Sequence, residues 1–522
     1  MRTIIGNVIN FVLVLLSVSC NQFNYRKVNN NQVEKWPPEL PTSNEKGVAT
    51  LETEEFLEVP NGVQRILDTI SDYSLSVAEV APKIELVYHD QLPNAALNGV
   101  GWSSWGDLCV ASDGSVYSGT GNHWGIQKGE AFVYRWQPST RVISKVADLN
   151  AISETKSEEV HFSKVHAGIF EGNDKKIYFT GTLDDGGLAA SEEMLDKWTE
   201  HVVGGKLFQY NPVTGKTVIY ADFPRATVTA TTEYDAKRNI LYCALEGDPE
   251  GFAFGAFDMD EKKWIYTGSP GQITNDRNFM LDSEGNVYFN GNESFEHTGV
   301  RLNSLEEEWQ RTKQQKEGKV ILSSKKSKIL DQRIHKNADT YTTLLKYDPK
   351  INEVVLTNSF LTSEGIRSST RESKEGYIYG STMGGELFRY SPIIDEMKLL
   401  GSNFLKKGEY ITVCVLSPDE KFLYYLPGAH GSAGFSGTPI IQYNIENRQQ
   451  KALAFLSQPM VKAFQYSPGG TFGSKLSEDG SKLYVGLNGS GSGNLKPKEH
   501  DGGFGLTSFV VVHIPSEERS GN

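Results

Sequence analysis

Seven times along this chain, a short polar turn leads into an apolar run that ends in tyrosine. The first copies are Asp113-Gly114-Ser115-Val116-Tyr117, Asp174-Lys175-Lys176-Ile177-Tyr178 and Arg238-Asn239-Ile240-Leu241-Tyr242. Glu284-Gly285-Asn286-Val287-Tyr288 and Glu375-Gly376-Tyr377-Ile378-Tyr379 follow, and then Asp419-Glu420-Lys421-Phe422-Leu423-Tyr424 and Asp479-Gly480-Ser481-Lys482-Leu483-Tyr484. A unit this small cannot bury its apolar face alone, so the recurrence restricts the chain to a solenoid, a propeller or an array.

Each copy sits between other strand-like runs. In the first unit these are Leu108 to Ser112, Ser115 to Gly119, Ala131 to Trp136 and Val142 to Val146. The third run has its own recurring form, as in Leu207-Phe208-Gln209-Tyr210-Asn211-Pro212, Leu344-Leu345-Lys346-Tyr347-Asp348-Pro349 and Leu387-Phe388-Arg389-Tyr390-Ser391-Pro392. Proline cannot extend a ladder, so it turns the chain toward an outer strand. Four strands in each of seven units predict an all-β, seven-bladed β-propeller. The last unit stops after Phe509-Val510-Val511-Val512-His513-Ile514, one strand short, while Ile84-Glu85-Leu86-Val87-Tyr88 is a strand without a unit. Closing the last blade with that N-terminal strand removes an open sheet edge.

The length of 522 residues fits a single repeated domain, and 51 glycines with 23 tyrosines and 25 phenylalanines fit short strands between turns. A net charge of −13 argues against nucleic acid as a partner, while leaving room for a local basic pocket. Arg2, the apolar stretch Val8 to Leu16 and then Leu16-Ser17-Val18-Ser19-Cys20 resemble a bacterial lipoprotein signal, with Cys20 as the lipidated residue. The stretch is too short to span a bilayer. The residues after Cys20 (Asn21, Gln22, Phe23, Arg26, Lys27) lack the acidic run of a surface-export signal. The expected location is therefore a lipid anchor in the outer membrane, facing the periplasm. Residues 21 to about 50 read as a tether.

The chain divides into a signal peptide at 1–19, a tether and N-terminal extension at 20–80, and the propeller at 81–516, with insertions at 183–203 and 294–339. Ser191 to Val202 and Leu305 to Lys316 read as helical within those insertions. Cys109, Cys243 and Cys414 lie in strand-like runs without metal or disulfide spacing and read as small buried hydrophobes.

Propeller ligands gather on the face where the chain runs into each innermost strand and where second strands turn to third, an expectation drawn from the fold alone. The repeat alignment sends His123, Trp124 and His430 there from the ends of second strands, and His166, Arg277, Arg367 and Tyr410 from the starts of innermost strands. Asn290, Asn292 and Glu293 reach the same face in blade 4. Histidines, arginines and a tyrosine on one mouth suit β-elimination at a uronic acid. Arginine pairs with the sugar carboxylate, and histidine and tyrosine move the protons.

The runs Val165-His166-Ala167-Gly168-Ile169-Phe170-Glu171-Gly172, Lys176-Ile177-Tyr178-Phe179-Thr180-Gly181-Thr182 and Gly205-Lys206-Leu207-Phe208-Gln209-Tyr210-Asn211-Pro212 resemble propeller proteins of bacterial polysaccharide-degradation loci. Tyr424-Tyr425-Leu426-Pro427-Gly428-Ala429-His430 is similar to the same group, which includes seven-bladed ulvan lyases and related sugar dehydratases. The resemblance covers most of residues 84–515. It implies a carbon–oxygen lyase acting on a uronate-containing poly- or oligosaccharide, by chain cleavage or by dehydration of a terminal uronate.

It also implies catalytic roles for His123 and His166, a catalytic tyrosine that is Tyr410 or Tyr234, and substrate binding by Arg277; the repeat mapping adds Arg367, His430 and Trp124 as further substrate-binding residues. No cofactor is expected, and no cluster demands the structural zinc that some such lyases hold. A glycan-binding propeller without chemistry is the alternative, with Trp102, Trp105 and Trp124 as stacking platforms. A metal-dependent lactonase would instead need Asn290, Glu293, Glu246 and Asp248 at the axis.

Overall fold

A computed structural model describes residues 43–44, 48–69, 75–89, 92, 102–122, 129–183, 205–223, 227–247, 251–268, 272–273, 277–291, 343–360, 365–402, 411–428, 436–491 and 506–519. The innermost strands of blades 1 to 4 are Cys109–Val110, Phe170–Glu171, Thr227–Asp235 and Met280–Leu281. Those of blades 5 to 7 are Ile366–Ser369, Ile411–Leu416 and Tyr466–Leu476. Each begins an antiparallel four-stranded blade; the strands follow in sequence order in blades 1 to 6, and blade 7 takes its fourth strand from the N-terminal side, so the chain is a seven-bladed propeller.

The tyrosine phrase is the turn from the innermost strand into the second. Its backbone closes over four residues, with Gly114 N–H donating to Ala111 O at 2.8 Å and Gly480 N–H to Ser477 O at 2.9 Å. The donor sits at positive φ: Gly114 at 79° and Gly285 at 84°, with Lys175 at 62° and Glu420 at 61° taking the same place. Glycine recurs there because a Cβ is disfavoured in that region. The acidic residue that opens or precedes the phrase holds the turn, as where Asp113 Oδ1 accepts from Ser115 N–H at 2.8 Å and Asp282 Oδ1 from Asn286 N–H at 2.8 Å.

Second strands are buried on both faces, Val116–Gly121 and Phe422–Pro427 throughout, whereas outermost strands such as Val142–Asp148 expose residues. All seven phrase tyrosines are buried. In three blades the ring meets the third-strand tyrosine of the next blade: Tyr117 with Tyr210 at 6.0 Å, Tyr242 with Tyr347 at 5.9 Å and Tyr288 with Tyr390 at 5.0 Å. The two recurring sequence motifs are thus the two sides of one blade-to-blade contact.

Lys83–Tyr88 pairs antiparallel with Leu506–His513, from Ser508 opposite Tyr88 to His513 opposite Lys83, and completes blade 7. The extension does more than the sequence indicated. Val48–Leu51 and Ser43–Asn44, inside the stretch read as tether, add two further strands to that blade. Leu75–Val77 pairs parallel with Gln450–Phe455 as a fifth strand of blade 6. Glu518 locks this region, accepting from Glu79 N–H at 2.6 Å and pairing with Lys451 at 2.8 Å. His89 is buried at the closing seam, hydrogen-bonded to Ser118 Oγ of blade 1 at 2.6 Å and to Thr507 Oγ1 of blade 7 at 3.2 Å.

Cys109, Cys243 and Cys414 are buried free thiols, and burial drives the Cys109 and Cys414 thiols up to about 12. The helical stretches expected at Ser191 to Val202 and Leu305 to Lys316 lie outside the described residues.

Candidate functional site

The innermost strands enclose a central channel of about 860 Å³. At one end of it every blade departs from regular pairing, and always with the surplus residues on the inner strand. In blade 1 seven residues, Ser103 to Cys109, span what five cover on the partner, from Gly121 to Tyr117. Lys164 to Phe170 stand against Thr182 to Tyr178 in the same way in blade 2. Ile273 to Met280 oppose Gly291 to Tyr288 in blade 4. Blades 3, 5, 6 and 7 carry the irregularity between Val228 and Thr232, Ile366 and Ser368, Ile411 and Cys414, and Gly470 and Gly473. A bulge re-aims the side chains it carries, and here seven of them face one axis.

Those bulges carry Trp105, His166, Thr231, Arg277, Arg367, Thr412 and Phe472, all of which line the channel. Four of them, from blades 2, 1, 7 and 5, touch in series. His166 meets the edge of Trp105 at 5.8 Å, and Trp105 meets Phe472 at 4.5 Å. The Arg367 guanidinium carbon lies 5.1 Å from the Phe472 ring centre. Arg277 N–H donates to Ile366 O at 2.8 Å, so blade 4 delivers its arginine beside that of blade 5. Lys164 Nζ adds a further cation 5.4 Å from the Trp105 ring.

Of the residues singled out in the sequence, His166, Arg277 and Arg367 are therefore brought to one channel. His123, Trp124, Tyr410 and His430 lie outside the described residues, as do Cys20, Asp248, Asn292 and Glu293. Tyr234 is not at the mouth with His166. It sits near the far end of Thr227–Asp235, stacks on Phe170 at 4.5 Å, and its hydroxyl donates to Asn239 Oδ1 at 2.8 Å and accepts from Asn173 N–H at 3.2 Å. That is a packing role. Trp102 is buried against Phe132, ring to ring at 5.2 Å, and cannot serve as a stacking platform, whereas Trp105 faces the channel. Asn290 is fully buried. Among the described residues no three His, Cys, Asp or Glu side chains converge as metal ligands.

Below the bulges lies a layer the sequence reading passed over. The innermost residues opposite the phrase tyrosines are Cys109, Phe170, Glu233, Met280, Val415 and Lys475, with Thr370 in blade 5. Five of the seven are uncharged. Glu233 and Lys475 carry opposite charges from blades 3 and 7, as far round as a ring of seven permits. Asp107 reaches the same region from blade 1 and forms an ion pair with Lys475. Its Oδ1 also accepts from Leu108 N–H at 2.9 Å and Ser474 N–H at 3.0 Å.

Enclosure by protein, with the carboxylates of Asp107 and Asp235 nearby, drives the Glu233 carboxyl up to about 7 despite the pull of Lys475. Enclosure also works against the charged Lys475 ammonium, but Asp107 and Glu233 outweigh it and leave its pKa raised. One signal of this layer was present in the sequence: Glu233 and Lys475 each stand nine residues before their phrase tyrosine, at a place where other blades use apolar or small residues.

No family model and no curated protein sequence matches the chain. Among solved structures, one described as the structure of U3-55K is similar over 82% of this chain and 98% of its own, at 9% identity and a TM-score of 0.46. The crystal structure of RRP9 WD40 repeats is similar over 83% and 97%, at 10% identity and a TM-score of 0.45.

Proposed function

We propose that the bulge-lined mouth binds a uronate-bearing glycan and carries out β-elimination on it. The observation that carries this reading is the convergence of His166, two arginines and the aromatics Trp105 and Phe472 around one channel. Arg277 and Arg367 pair with the sugar carboxylate, which acidifies the proton on the adjacent carbon. Trp105 and Phe472 take the faces of the sugar ring. His166 accepts the proton; the carbon–oxygen bond on the next carbon breaks with its electron pair leaving on oxygen, and a carbon–carbon double bond forms. The departing oxygen takes a proton from a second group, for which His123 and Tyr410 are the candidates from the sequence.

The test is incubation with a panel of acidic polysaccharides and their oligosaccharides, following the absorbance of the unsaturated uronate and the product masses. A rise in that absorbance with shorter chains means a chain-cleaving lyase, and loss of water without shortening means a dehydratase. Binding to a glycan with no unsaturated product from any uronate would overturn the catalytic reading in favour of a glycan-binding propeller.

A further inference from the structure

We propose that the layer beneath the mouth sets the sequence of sugars the channel accepts: Glu233 there admits a neutral, hydroxyl-bearing residue and turns away a second uronate. The inference rests on the reading of the mouth just given and adds the identity of the neighbouring sugar. The mouth is cationic, with Arg277 and Arg367 among its lining residues. Deeper in the same channel, Lys475 is committed to Asp107, and Asp107 is anchored by two backbone N–H groups.

Glu233 is left over. Among the described residues nothing donates a hydrogen bond to its carboxylate, although it lines the channel opposite Lys475. Such a group is satisfied by a ligand that brings donors, as sugar hydroxyls do, and it repels a carboxylate. Phe170 in the same layer lines the channel and supplies apolar surface for a sugar ring. A chain entering from the mouth thus meets positive charge first and an unpaired carboxylate next. That order fits a glycan in which uronate neighbours a neutral sugar, and disfavours an unbroken run of uronates.

The charged groups that act on Glu233 are Lys475, Asp107 and Asp235, with Glu171, Arg371 and Glu478 along the rest of the channel. Because its carboxyl titrates near neutrality, the rejection strengthens as pH rises.

The experiment measures affinity calorimetrically for two ligands of equal length, an oligouronate and an oligosaccharide that alternates uronate with neutral sugar. Wild type and Glu233→Gln are compared at pH 5.5 and 8.5, with melting curves to show that both are folded. In the wild type the oligouronate should weaken relative to the alternating ligand on the order of tenfold between the two pH values. In Glu233→Gln the ratio should stay flat. An equal pH dependence in both proteins, or preference for the oligouronate at high pH, would overturn the proposal. Discrimination without any elimination product would leave this inference standing and overturn the catalytic reading alone.

Discussion

The mouth and the tyrosine layer belong to the same seven strands, yet they are built by opposite means. In the tyrosine layer each inner residue faces a phrase tyrosine in regular antiparallel register. At the mouth the register fails in every blade. Regular pairing fixes the spacing between blades and leaves little choice of side-chain direction, so function enters that layer only by substitution, as at Glu233 and Lys475. Broken pairing frees the direction, and there whole segments differ from blade to blade. Scaffold and site are thus separated along each strand rather than between strands.

The largest expected effect breaks the mouth without touching the layer below. His166→Ala should lower turnover of a uronate glycan by roughly 10²–10⁴-fold, the usual contribution of a positioned acid or base. The thermal midpoint should stay near that of the wild type. Residual turnover with a large loss of stability would make His166 a packing residue for Trp105 instead. Next comes Asp107→Ala, which strikes the link between the two regions. It strips Lys475 of its partner and Leu108 and Ser474 N–H of their acceptor, and should cost about 2–3 kcal/mol in denaturant unfolding. Lys475 is 42% exposed, so most of that loss should come from the backbone N–H groups, and adding Lys475→Met should recover little.

How much of this could be read in the sequence follows the same division. The blade count and the closing strand Lys83–Tyr88 were legible because turn chemistry and strand alternation repeat with the blades. The extra strands Ser43–Asn44, Val48–Leu51 and Leu75–Val77 were not, since edge strands added outside the repeat have no phrase to announce them. His166, Arg277 and Arg367 could be sent to one face by counting from the tyrosines. Trp105 stood out only as one of three stacking candidates, and Phe472 did not stand out at all, because a bulge breaks the count where side-chain direction is decided. Of the two tyrosine candidates the spacing left open, Tyr234 has its hydroxyl at the end away from His166, bonded to Asn239.

A third prediction separates the two layers by pH. The Glu233 carboxyl is raised in the folded protein to about 7 from an ordinary value of 4.5. The native state therefore holds a proton that the unfolded chain gives up, and stability contributed by this group falls as pH rises from about 4.5 to 7. Above that window the deficit is constant. Glu233→Gln should flatten this part of the stability profile and raise the midpoint at pH 8 by on the order of 1–2 °C relative to wild type. An unchanged profile would mean that the carboxyl titrates at its ordinary value, which weakens the pH argument for sugar discrimination but leaves the mouth untouched.

The smallest effect tests the scaffold itself. Tyr288 combines a ring packed 5.0 Å from Tyr390 with a hydroxyl that donates to Asp282 Oδ2 at 2.9 Å, and its burial drives the phenol upward, so it never ionises in the working range. Tyr288→Phe keeps the ring contact and leaves one lone pair of Asp282 unsatisfied. Asp282 still accepts from Asn286 Nδ2 at 2.7 Å through the same oxygen, and from Glu284 and Asn286 N–H through the other. The expected cost is therefore about 0.5–1.5 kcal/mol in unfolding, with no change in glycan turnover. A loss well above that would mean the bond to Asp282 within blade 4, rather than the ring contact with blade 5, carries most of what this tyrosine contributes. A change in turnover would mean the scaffold layer is coupled to the mouth, and the division along the strand would fail.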